Sequence, residues 1–113
     1  MTKAPEPTVA PIVVTTDGLF DELNGNALKA SKTYKGQYVE LKGKLSTIDS
    51  SGDYFSLGSL TNDFSFDTVL CNIKEEHLDT VMEFSNEQEV TVIGTITDVG
   101  EFLGYTLEVE LIK

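Results

Sequence analysis

A chain of 113 residues has room for one domain, and a domain of this size can bury about 65% of its unfolded surface without disulfide staples. The apolar share of 40% suits a folded chain rather than a disordered acidic tail. Nineteen acids against eight lysines, with no arginine, leave a net charge of −11. That balance argues against an unaided nucleic-acid binder, because phosphates are held by cations whose counterion release drives association.

Residues 1–14 contain all three prolines, Pro5, Pro7 and Pro11. Proline fixes φ and favours extended chain, so this stretch is expected to be a flexible arm or tether preceding a single domain over 15–113. Thr15, Thr16 and Asp17 make a helix start. Leu19, Phe20, Leu23, Ala27, Leu28 and Ser31 follow at spacings of three and four. Gly18 and Asn24-Gly25-Asn26 predict a bend or irregularity in that helix.

After Tyr34-Lys35-Gly36 the period changes from 3.6 to 2. Val39, Leu41 and Leu45 alternate with Tyr38, Glu40, Lys42 and Lys44 in a first strand. Gly43 takes an inward slot where a curled strand needs room, and a slip in phase to Ile48 predicts a bulge at Ser46-Thr47. Asp49 to Asp53 is turn chemistry, and Tyr54 to Leu57 forms a second strand. Phe64, Phe66, Val69, Cys71 and Ile73 belong to a third, with another slip between Phe66 and Val69. Lys74 to Phe84 is helical by pattern, with Leu78, Val81 and Met82 on one side. Val90, Val92, Gly94 and Ile96 mark a fourth strand and Tyr105, Leu107, Val109 and Leu111 a fifth. The connection between them, Val99 to Gly104, is a glycine-flanked hairpin.

The expected fold is therefore mainly β: a five-stranded OB-fold barrel with an N-terminal helix and a helix between the third and fourth strands. An SH3-like barrel is the main rival, but it lacks a full helix at that point.

Chemistry-bearing residues are sparse. Cys71, the single cysteine, reads as a small buried hydrophobe, and His77, the single histidine, as a surface residue among Glu75, Glu76 and Asp79. The Asp49–Asp53 turn offers too few oxygens for calcium. No metal, cofactor or catalytic set is expected, so the chain reads as a binding module and not an enzyme. OB barrels bind ligands across their second and third strands and with the loops joining strands one to two and four to five. Here those elements carry Tyr54, Ser56, Asp49, Asp53, Asp67, Phe102 and Leu103. The candidate partner-binding residues are Tyr54, Ser56, Phe102, Leu103 and Tyr38. A protein or small ligand is the expected partner, and self-association is a further option. Nucleic acid is the alternative, using Lys42 and Lys44 in the basic stretch 29–44, where five lysines face one glutamate.

From Asn26 onward the sequence resembles the bacterial family of small OB-fold proteins described as tRNA-anticodon-like. The matching positions are Asn26-Ala27, Ala30, Tyr34-Lys35-Gly36, Val39, Gly43 and Ile48, then Val69-Leu70-Cys71 and Val90 to Gly94. The turn before the fourth strand departs from the family, with Asn86-Glu87-Gln88-Glu89 where a glycine is usual, and Asn86 is expected to supply the left-handed residue. The resemblance implies an OB-fold, no catalytic residues and frequent export as lipoproteins or tethered modules. The expected location is thus extracellular or at the cell surface after loss of an export signal, with the cytoplasm as the alternative. No run of about 18 apolar residues exists to span a membrane.

Overall fold

The computed structural model describes residues 10–62, 67–101 and 104–113. Strand β1 (Ile12–Thr15) leads into helices α1 (Thr16–Gly25) and α2 (Ala27–Tyr34). Strands β2 (Tyr38–Ile48), β3 (Tyr54–Gly58) and β4 (Val69–Asn72) follow. A 3-10 turn at Glu75–His77 and helix α3 (Leu78–Met82) then precede β5 (Glu89–Gly100) and β6 (Gly104–Ile112).

The sheet order is β1-β2-β3-β4-β6-β5, and an additional β2–β5 pairing closes β2 to β6 into a barrel. Closure depends on β2, which pairs antiparallel with β5 from Tyr38 to Lys44 and with β3 from Lys44 to Ile48. One strand can serve both neighbours because it shifts register between Leu45 and Thr47, and at Gly43 it packs so closely on Thr16 and Leu57 that a side chain has no room. The inward residues Val39, Leu41, Phe55, Leu57, Val69, Cys71, Val92, Ile96, Leu107 and Val109 are fully buried. Leu19, Phe20, Leu23 and Ala30 pack onto them from α1 and α2.

The barrel has five strands, β2 to β6, but the expected helix position is corrected: among the described residues a sixth strand precedes the barrel, and α3 lies between β4 and β5, not between the third and fourth strands. The overturning element is β1, which pairs in parallel with β2, Ile12 to Val39 through Thr15 to Lys42. The nearby prolines drew Ile12-Val13-Val14 into the predicted arm, yet these β-branched residues fit a pleated surface well. Residues 1–9 of that arm, and Phe64 and Phe66 of the predicted third strand, lie outside the described residues.

The single N-terminal helix is two helices. Asn26 ends α1 through its N–H to the Glu22 carbonyl and caps α2 by accepting from the Lys29 N–H at 3.1 Å. This break rotates the stripe: Leu28 is exposed while Ala30 and Tyr34 are buried. The helix predicted over 74–84 shortens to α3, where Val81 is buried and Met82 exposed. In the turn before β5 it is Glu87, with φ 66°, and not Asn86, that takes the left-handed conformation.

Candidate functional site

Strand parity places Tyr54 and Ser56 on the outward face of β3, opposite Asn72 and Leu70 on β4. On the next strand these pair with Glu108 and Thr106 of β6. Two rows result: Tyr54, Asn72 and Glu108, then Ser56, Leu70 and Thr106. Tyr54, Asn72 and Leu70 are half-buried, whereas Ser56 is buried and presents little surface. The Asn72 amide donates to the Glu108 carboxylate, which holds the first row in register. Just beyond it, Lys74 pairs with Glu110 at 3.0 Å.

The loop 49–53 borders the Tyr54 end of this face. Its turn is closed from within: the Asp49 N–H donates to the Tyr54 carbonyl, the Gly52 N–H to the Asp49 carbonyl, and the Asp53 N–H to the Asp49 carboxylate at 3.1 Å. Asp49 is thus spent on its own turn, and Gly52 supplies the φ of +83° that this turn requires. Behind the loop, Ile48, Ile73, Leu78, Val81 and Met82 line an apolar groove of about 430 Å³ against α3. Sequence reading missed this groove, since the pattern put Met82 on the buried side of a longer helix.

The β5–β6 connection borders the other end, where Gly100 pairs with Gly104 and β6 runs alongside β4 from Val69. Phe102 and Leu103 lie outside the described residues.

The remaining candidates sit elsewhere. Tyr38 begins β2 opposite Thr95, ten residues before the Ile48 end where Tyr54 lies, and the two tyrosines share no patch. Lys42 pairs with Glu89 at 3.3 Å, Lys35 with Asp98 at 3.9 Å, and Lys113 with Glu40 at 3.3 Å. Lys44 lines a small polar cleft with Ser59, Asn62, Asn86 and Glu87. The basic stretch is therefore partly neutralised by acids of β5 rather than gathered into one anion site.

Burial pushes the Cys71 thiol well up, and its sulfur lies 3.8 Å from the Val69 carbonyl; this environment suits packing, not nucleophilic chemistry. His77 is half-buried rather than fully solvated, with its Nδ1 lacking a partner among the described residues. Among those residues no group of three or more His, Cys, Asp or Glu could hold a metal ion. No helix there is long and apolar enough to cross a membrane.

A closed barrel in which β2 serves two neighbours, β4 runs parallel to β6 and a helix joins β4 to β5 defines an OB-fold. The family model described as tRNA_anti-like matches residues 2–104, and the chain belongs to that family. No curated protein matches it. Among solved structures, a lipoprotein of Klebsiella pneumoniae, provisionally assigned as nucleic acid-binding, is 20% identical with a TM-score of 0.66, covering 87% of each chain. The Stn1–Ten1 complex of S. pombe is similar at 12% identity and a TM-score of 0.59, covering 96% of this chain and 80% of that one. The hypothetical protein ygiW of E. coli follows at 13% identity and 0.56, covering 100% and 98%. At such identities the likeness shows the fold.

Proposed function

We propose that this chain is a non-catalytic OB-fold binding module whose ligand is single-stranded nucleic acid laid across the outward face of β3 and β4. The observation that carries the reading is Tyr54, a half-buried ring at the loop-bordered end of the face by which OB barrels take ligands, in a chain of the tRNA-anticodon-like family. A base stacked on such a ring contributes about 1–3 kcal/mol irrespective of sequence. The provisional description of the Klebsiella protein supports the same ligand class, and its being a lipoprotein supports a location outside the cytoplasm.

The charge shapes this binding. With −11 overall and most lysines near the barrel paired to acids, few cations are left to release counterions. Stacking then dominates, affinity is micromolar or weaker near physiological salt, and the salt slope is shallow.

The same charge favours a second reading, a protein or small-ligand partner, with the α3 groove as its contact point. Fluorescence anisotropy with a labelled single-stranded 12-mer tests the choice. Tyr54→Ala should weaken binding about 5- to 30-fold, while Lys42→Glu with Lys44→Glu should change it little. Abolition by the lysine pair alone would move the site to β2, and no binding at millimolar protein would leave the protein or small-ligand reading.

A further inference from the structure

The open edge of β1 is a second surface, independent of the β3–β4 face. Among the described residues β1 pairs only with β2, so its outer edge carries backbone N–H and C=O groups without strand partners. Such edges are usually protected by an inward charge, a lysine, a bulge or a proline within the strand. Ile12-Val13-Val14-Thr15 has none of these, its four-residue length being the one limit on the edge, and Val13 is 74% exposed.

Beside this edge, between β1 and the α1–α2 pair, lies a cavity of about 330 Å³ lined by Val13, Val14, Leu19, Glu22 and Tyr34. Val13, Val14 and Leu19 make its walls largely apolar, Thr15 and Gly18 complete them, and Glu22 adds the charge, an exposed carboxylate that the Tyr34 hydroxyl orients by donating to it. An unpaired edge next to an apolar pocket with one fixed negative charge is the arrangement that accepts an added strand. The backbone supplies the hydrogen bonds, and alternate side chains enter the pocket.

We infer that β1 docks an extended basic segment of a protein partner, added as a seventh strand, with an apolar side chain in the cavity and a lysine or arginine at Glu22. Charge selects this occupant over a second copy of the chain, which would bring another −11 to the contact.

The probe is the heptapeptide acetyl-Thr-Val-Lys-Val-Lys-Val-Thr-amide, titrated into the full chain with amide NMR detection. Shifts are expected at Ile12–Thr15, Leu19 and Glu22. An analogue N-methylated at alternate residues keeps the charge but removes backbone donors, and should bind at least about tenfold more weakly. Replacing both peptide lysines by glutamate should abolish binding. Glu22→Gln keeps an acceptor for Tyr34 and so keeps the fold, and should weaken the lysine peptide about 3- to 10-fold. Equal binding of the N-methylated peptide, or shifts confined to other surfaces, would overturn the inference. So would a dimer by sedimentation with protected β1 amides, or protection of those amides in the free chain with contacts to residues 2–8.

Discussion

Gly43 and Gly94 stand in the barrel wall at positions where one added methyl meets different obstacles. At Gly43 an added Cβ would lie 2.5 Å from Thr16 Cγ2 and 2.9 Å from Leu57 Cβ. At Gly94 it would lie 2.0 Å from the Glu108 carbonyl oxygen, which is backbone and cannot swing aside. Gly43→Ala is therefore expected to cost about 1–3 kcal/mol by overpacking, and Gly94→Ala more. Urea denaturation of the two variants checks the order, and a smaller loss at Gly94 would contradict it. The need for glycine at 43 is legible in the strand's alternation; the severity at 94 depends on the β5–β6 register shift, which alternation does not encode.

Tyr34 also belongs to this scale. Its hydrogen bond to Glu22, its burial and the nearby charge push the phenol up to about 12, and burial raises Tyr105 further, its hydroxyl donating to the Leu19 carbonyl at 2.8 Å. In the unfolded chain a tyrosine loses its proton near about 10. Above that pH the unfolded state binds fewer protons than the folded one. The stability that these groups contribute is then complete below pH 10 and is lost as pH rises toward 12. Tyr34→Phe should be less stable than the parent at pH 8 by about 1 kcal/mol, with the gap narrowing at pH 11. Parallel profiles would refute the assignment. Sequence reading found Tyr34 in the Tyr34-Lys35-Gly36 motif, but not Glu22, whose partnership depends on the break at Asn26.

At the scale of elements, the bulge in β2 and the weakness at Asn24-Gly25-Asn26 were legible because each leaves a local mark: a slipped phase, or a run of poor helix formers. Neither the new phase of α2 nor the existence of β1 left one, because both are decided by tertiary pairing. A further tertiary link joins α1 to the loop after β3. The Asp17 carboxylate accepts from the Ser59 hydroxyl and, at 3.0 Å, from the Leu60 N–H. Ser59 Oγ in turn accepts from the Thr61 and Asn62 N–H groups. From sequence, Asp17 was legible only as a first-turn acid. Asp17→Ala leaves buried Ser59 short of an acceptor, and should cost about 1–3 kcal/mol while speeding exchange of the Leu60 amide. Loss of stability with the 59–62 amides still protected would place the effect at the helix terminus instead.

At the scale of the whole molecule, charge and fold pull in different directions. The proposed ligand is a nucleic acid, while the acidic field limits affinity for it. Both hold if the ligand is gripped by stacking and backbone contacts on one face rather than by a basic groove. The sequence pointed to the Tyr54 face only through the general habit of OB barrels to bind across these strands, so its role remains part of the proposal. That Ser56 is buried and Tyr38 remote could be read only from the folded barrel. The direct measurement is amide chemical-shift mapping of the full chain titrated with a single-stranded oligonucleotide. The account predicts saturable shifts clustered at Tyr54, Leu70, Asn72 and the 49–53 loop; shifts confined to residues 29–44, or none at millimolar oligonucleotide, would contradict it.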